Sequence, residues 1–99
     1  MVCAWPACAS SNAAIGNHVI VLPNSVIHHD VRIGDWSLIG SNVTIAGNTS
    51  IGDNCYIASG SSIMDGLTIG AGTLIGLGST VIRSTAPGSR MAGNPARPV

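Results

Sequence analysis

Every sixth residue from Ile15 to Val81 is isoleucine or valine. The series runs Ile15, Val21, Ile27, Ile33, Ile39, Ile45, Ile51, Ile57, Ile63, Ile69, Ile75 and Val81 without a break. A period of six is foreign to an α-helix, and it is a multiple of the two-residue repeat of a strand. Four residues after each aliphatic position stands a second series: Val19, Ser25, Val31, Ser37, Val43, Thr49, Cys55, Ser61, Leu67, Thr73, Ser79 and Thr85. Its members are mostly small or β-branched, and none is charged. Each lies two residues before the next aliphatic, so both point the same way from one short strand. Gly, Asn and Asp fill the intervals, which marks them as corners. Each hexad therefore reads as a short strand with two inward side chains, followed by a turn.

A second period gives the number of sides. Glycine follows the aliphatic residue at positions 16, 34, 52 and 70, eighteen apart, and elsewhere only at Gly40 and Gly76. Asn17, Asp35 and Asp53 follow the first three of those glycines. Eighteen residues are three hexads, so the chain is expected to coil as a three-sided parallel β-helix in which like positions stack. Residues 15–86 give four regular turns, about 19 Å tall at ~4.8 Å per step. Residues 1–14 keep a weakened register, with Cys3 and Ala9 at aliphatic positions, as a degenerate first turn. That makes about five turns in an all-β single domain, 1–99. The register is expected to break at Pro87, where a Pro-rich tail, 87–99, folds over the last turn as a cap because its three prolines cannot continue the ladder.

Composition agrees and excludes much else. The chain has no Phe, Lys or Glu and is rich in β-branched residues and Gly, which argues against helices. Four Arg balance four Asp, so there is no electrostatic footprint for nucleic acid. No apolar run is long enough to span a membrane. The opening MVCAWPACASSNAA lacks a positive n-region and is not read as a signal peptide. Cys3 and Cys8 lack zinc-knuckle spacing and Cys55 stands alone, as expected of three free thiols in a reducing, cytoplasmic setting.

Against this apolar rhythm the stretch SVIHHDVRIGDW is conspicuous for clustering His28, His29 and Asp30. The unbroken [LIV]-[GA]-x-x-[STV]-x pattern resembles the hexapeptide-repeat acyltransferases. His29-Asp30-Val31-Arg32-Ile33-Gly34-Asp35 and the closing Gly93-Asn94-Pro95-Ala96-Arg97 resemble the branch that holds sialic-acid O-acetyltransferases and bacillosamine N-acetyltransferases. The resemblance implies a left-handed coil, a homotrimer with sites between subunits, acetyl-CoA as co-substrate, no metal, and a small-molecule acceptor such as a nucleotide sugar. It implies roles as well. His29 is the general base, Asp30 raises its basicity, and the Gly47 backbone N–H faces the oxyanion. Ser59 and Leu77 lend backbone groups to the pantetheine arm of CoA. Leu38 stands where many relatives carry a second histidine that touches the thioester. Those relatives also carry an N-terminal α/β domain that helps hold the acceptor, which is not seen in this sequence.

Other polar groups have plainer readings. His28 follows Ile27 and points outward; His18 sits on a different corner from His29, in solvent. Trp36, outward at a corner, suggests a subunit contact. Asp65 stacks two turns beyond His29. Arg90 and Arg97 are solvated tail residues, with CoA phosphates as their functional reading. Two other functions fit a β-helix. A zinc enzyme of the γ-carbonic-anhydrase type needs three convergent histidines, and His18, His28 and His29 have the wrong spacing. A non-catalytic trimeric scaffold, or a remnant that has lost its acceptor domain, needs no site, and CoA binding separates it from the enzyme.

Overall fold

A computed structural model of the chain describes residues 2–3, 8–9 and 13–99. The strands are β1 (Val2–Cys3), β2 (Cys8–Ala9), β3 (Ala14–Ile15), β4 (Ile20–Val21), β5 (Val26–Ile27), β6 (Arg32–Ile33), β7 (Leu38–Ile39) and β8 (Thr44–Ile45). They continue as β9 (Ser50–Ile51), β10 (Tyr56–Ile57), β11 (Ser62–Ile63), β12 (Thr68–Ile69), β13 (Leu74–Ile75), β14 (Thr80–Val81), β15 (Arg90–Ala92) and β16 (Arg97–Pro98). Each body strand pairs in parallel with the strand eighteen residues on, as Tyr56 with Leu74 and Ile57 with Ile75. Three faces result. Face 1 is β1-β4-β7-β10-β13-β15-β16, face 2 is β14-β11-β8-β5-β2, and face 3 is β12-β9-β6-β3. This is the left-handed parallel β-helix of hexapeptide repeats. Its regular body makes about four turns, slightly fewer than the five expected. Among the described residues no helix is long and apolar enough to cross a membrane.

Three corners join the faces. The first, between faces 3 and 1, stacks residues 17–18, 35–36, 53–54 and 71–72; the second stacks 23–24, 41–42, 59–60 and 77–78; the third stacks 29–30, 47–48 and 65–66. The second residue of each corner is left-handed, with φ between 56° and 77° from His18 to Gly78. Asn or Gly, which bear this conformation at least cost, fills most of these positions. His18, Asp30 and Trp36 are the exceptions.

Both inward series close the core. The aliphatic column from Val21 to Val81 is at most 3 % exposed, and Ser25, Ser37, Thr49, Ser61, Thr73 and Ser79 are as deeply buried. The buried hydroxyls are satisfied by the corners. Ser25 Oγ donates to the Gly40 carbonyl and accepts from Val43 N–H, and Ser37 and Ser61 repeat the donation at 3.0 and 2.9 Å. No buried side-chain N or O is left without a partner among the described residues, which is why small polar residues alternate there with Val. Cys55 takes the same place, its Sγ 3.2 Å from the Gly70 carbonyl. Desolvation pushes its thiol pKa up, so it stays a neutral, structural group. The side chains of Cys3 and Cys8 lie outside the described residues.

The eighteen-residue glycine period has a steric cause. A Cβ on Gly34 would meet Asp53 Oδ1 and would lie 2.6 Å from Asp53 N and 2.7 Å from Gly52 C. Asp53 closes over this spot to accept the Asp35 N–H at 2.8 Å, just as Asp35 accepts that of Asn17 at 2.7 Å. Because backbone atoms block the way, Gly34→Ala is expected to cost about 1–3 kcal/mol of unfolding free energy in a urea titration. A variant as stable as the parent would mean that the corner yields freely.

The tail corrects two expectations. The register breaks before Pro87: Thr85, not residue 87, bridges Ile69, so the third corner is two residues short after Val81. The ladder then continues, with Leu74 paired to Arg90 and Ile75 to Met91. Pro87 permits this because it occupies a corner position, where its missing N–H breaks no ladder bond. The strand β16 pairs antiparallel with β15, covering the edge of face 1.

Candidate functional site

The third corner is built from its neighbours outward. Ile27 and Val31 point into the core at 1 % and 0 % exposure and pin the chain on either side. His28, His29 and Asp30 are thereby forced out. Asp30 turns the chain with a φ of 57°, and that turn sets its carboxylate beside the preceding imidazole, His29 Nδ1 lying 3.2 Å from Asp30 Oδ2. A carboxylate only accepts, so this contact places the proton on Nδ1 and leaves the Nε2 lone pair open. Both side chains remain accessible, at 59 % and 48 %.

Gly47 stands one turn on, tied to His29 by the Asn48 N–H donating to the His29 carbonyl at 3.1 Å. A Cβ on Gly47 would lie 2.7 Å from both Cε1 and Nε2 of His29. The imidazole therefore rests against Gly47, and only a residue without a side chain lets it do so. The N–H groups of Asn17, Asp35 and Ser41, at the equivalent corner position, are each accepted by a side chain one turn on. The Gly47 N–H has no partner among the described residues. Asp65 extends the same stack, exposed. The corner thus gathers a proton acceptor with a fixed tautomer and an open backbone donor.

Of the residues singled out from the sequence, His29, Asp30 and Gly47 come together. Leu38, Ser59 and Leu77 stand apart from them within one chain. Leu38 is half-buried on β7, in face 1. Ser59 and Leu77 stack on the second corner, with Gly78 N–H donating to the Ser59 carbonyl at 3.0 Å; Leu77 is 78 % exposed. Arg90 and Arg97 lie exposed on the C-terminal hairpin. His18 is not simply solvated: its ring stacks under Trp36, centroids 4.1 Å apart and planes 15° from parallel. Their eighteen-residue spacing carried that signal in the sequence. The three histidines occupy two corners, and no three His, Cys, Asp or Glu side chains among the described residues gather as a metal site.

Comparison with known proteins fits this geometry. The chain superimposes on Caulobacter crescentus PerB, solved in complex with CoA and GDP-perosamine, with a TM-score of 0.80 and 26% identity over 100% of this chain and 57% of that one. Serine acetyltransferase from Neisseria gonorrhoeae, in complex with serine, gives 0.84 and 26% over 91% of this chain and 42% of the other. A hexapeptide-repeat acetyltransferase from Vibrio cholerae, complexed with acetyl coenzyme A, gives 0.81 at 22% identity over 95% and 67%, a likeness of fold alone. The chain spans 57% of the length of PerB. No curated protein matches it by sequence. The pattern described as bacterial transferase hexapeptide (six repeats) matches residues 12–47 and again 48–83. With the hexads, the three stacked faces and this match in agreement, the chain belongs to the bacterial transferase hexapeptide family.

Proposed function

We propose that this chain transfers an acetyl group from acetyl-CoA to a hydroxyl or amine of a small molecule, a nucleotide sugar being the acceptor class. The observation that carries the reading is the His29 imidazole, oriented by Asp30 and resting against Gly47 beside an open N–H. His29 Nε2 takes the proton of the acceptor as its oxygen or nitrogen attacks the acetyl carbonyl. Negative charge gathers on the carbonyl oxygen, and the Gly47 N–H is the donor that faces it. The C–S bond then breaks and the sulfur receives the proton from His29. The products are the acetylated acceptor and free CoA thiol.

The likeness to PerB, whose structure holds GDP-perosamine together with CoA, supports this acceptor class. Ser59 and Leu77 carry the pantetheine arm through their backbone groups, and Leu38 replaces a second polar contact to the thioester with an apolar one. The working unit of this proposal is a homotrimer in the cytoplasm; the separation of His29, Asp30 and Gly47 from Ser59 and Leu77 within one chain supports a site built from more than one copy.

Millimolar acetyl-CoA is expected to raise the melting temperature, since a ligand at a hundred times its Kd stabilises by about 2.7 kcal/mol. With a nucleotide amino sugar added, release of CoA thiol should be measurable by a thiol reagent. A chain that shows neither shift nor thiol release is a scaffold.

A further inference from the structure

We infer that Ala46 is the positioning residue that keeps the donor of the third corner free: its methyl group fills the place into which the Asp65 carboxylate would otherwise fold to take the Gly47 N–H. The consequence for catalysis rests on the acetyl-transfer reading; the geometry does not.

The corners share one arrangement. The first residue of a corner presents its N–H to the turn beyond, where the residue eighteen on can accept it. Asn17 N–H is accepted by Asp35 Oδ1 at 2.7 Å, Asp35 N–H by Asp53 Oδ1 at 2.8 Å and Ser41 N–H by Ser59 Oγ at 3.0 Å. In all three cases the residue just before the capped N–H is glycine: Gly16, Gly34 and Gly40. The reason is space. A Cβ on Gly16 or Gly34 would run into Oδ1 of the capping aspartate, and one on Gly40 would lie 2.7 Å from Ser59 Oγ. Non-bonded heavy atoms settle at about 3.5–4.0 Å. A side chain before the corner and a cap from the turn beyond are therefore alternatives.

The third corner takes the other alternative. The positions before it hold His28, Ala46, Met64 and Ile82, with no glycine among them. The first corner has Gly16, Gly34, Gly52 and Gly70 there, and the second is mixed, with Leu22, Gly40, Ala58 and Gly76. Gly47 does have an acceptor in the right register, because Asp65 stands eighteen residues on, as Asp53 does from Asp35. Yet the Gly47 N–H has no partner among the described residues, and Asp65 stays exposed. The Asp35–Asp53 pair differs in having Gly34 where this corner has Ala46. Ile45 points into the core at 0 % exposure, so the next residue, Ala46, turns its Cβ outward over the corner.

Closure would harm acetyl transfer twice over. A carboxylate makes a stronger hydrogen bond to an N–H than a neutral carbonyl does, so it would compete with the thioester for the donor. It would also set a negative charge where the attacked carbonyl oxygen becomes negative. An N–H left without a protein partner costs stability, and the other two corners avoid that cost wherever a glycine and an acceptor stand together. The third corner bears it and holds its donor ready.

The test is Ala46→Gly, read by amide hydrogen exchange in 1H–15N spectra. The Gly47 amide should exchange about tenfold or more slowly than in the parent, the worth of a hydrogen bond to a charged acceptor, and Asp65→Ala in the same chain should restore the parental rate. A glycine that merely loosens the corner would speed exchange and would not respond to residue 65. Gly34→Ala is the mirror experiment: it should push Asp53 off the Asp35 amide and raise the exchange of that amide about tenfold. The Ser41 amide, capped on the second corner in every variant, reports that the coil is intact. Acetyl transfer by Ala46→Gly should fall about 10²-fold in kcat, as on loss of one oxyanion donor, and recover in the double variant. Unslowed Gly47 exchange in Ala46→Gly, slow exchange that survives Asp65→Ala, or an Asp35 amide still protected in Gly34→Ala overturns the inference. A slowed Gly47 amide with undiminished acetyl transfer upholds the closure and overturns the role of Gly47 as oxyanion donor alone.

Discussion

Replacing His29 by alanine is expected to lower acetyl transfer by about 10²–10⁴-fold, the usual worth of a positioned general base. The melting temperature and acetyl-CoA binding should stay as in the parent. Folding has little stake in the side chain: it is 59 % exposed, and its one polar contact among the described residues is with Asp30, itself 48 % exposed. The chain turns here because Asp30 is left-handed and because Ile27 and Val31 are buried on either side, and alanine at 29 alters neither. The loss should fall on kcat and on kcat/KM together, since proton removal is needed in the transition state and not for binding. Asp30→Asn keeps the turn residue and an oxygen near Nδ1, so its effect should be smaller. A His29→Ala chain that still turns over at the parental rate removes the imidazole from the chemistry, whatever the fold.

The fold was legible because the physics that sets it is periodic. One inward aliphatic per six residues has a single cheap solution, and every one of those residues from Val21 onward is in the core. The eighteen-residue glycines announced three sides, although their cause, the close approach of the next turn's corner (Asp35 over Gly16, Asp53 over Gly34, Ala71 over Gly52 and Pro87 over Gly70), is a contact between turns that no local reading contains. The ends were less legible. A hexad shortened between Val81 and Thr85 shifts the pairing of everything after it, and prolines that look like breakers do no harm at positions that donate no ladder bond.

The site was legible in one half. His29, Asp30 and Gly47 share a corner because one sequence step and one eighteen-residue step are enough to place them. The second set, Leu38, Ser59 and Leu77, stands apart from that corner within one chain, and the role proposed for it uses backbone and apolar surface, which leave no side-chain signal to read. The stack of His18 on Trp36 was hidden for a different reason. Each residue looked like an isolated surface group until the same spacing that stacks the isoleucines was applied to the outside of the coil.

Gly47→Ala is expected to abolish most activity while leaving the fold nearly untouched, and it separates geometry from mere presence of the base. The added methyl would lie 2.7 Å from Cε1 and Nε2 of His29 and 3.2 Å from Cδ2. All of these atoms belong to the far end of an exposed side chain, which can swing away. That contrasts with Gly34, where the obstruction is backbone. The imidazole must leave its place against residue 47, and a displacement of about 1 Å is enough to cost ~10²-fold in rate. Stability should change by less than about 1 kcal/mol in urea titration, as for other surface changes. The decisive comparison is the double variant. If both substitutions act by removing one correctly placed ring nitrogen, His29→Ala with Gly47→Ala should be no slower than His29→Ala alone, because losses within one catalytic unit do not add. A double variant that is slower by the full product of the two factors would assign Gly47 a separate share of the rate, through its N–H at the developing oxyanion.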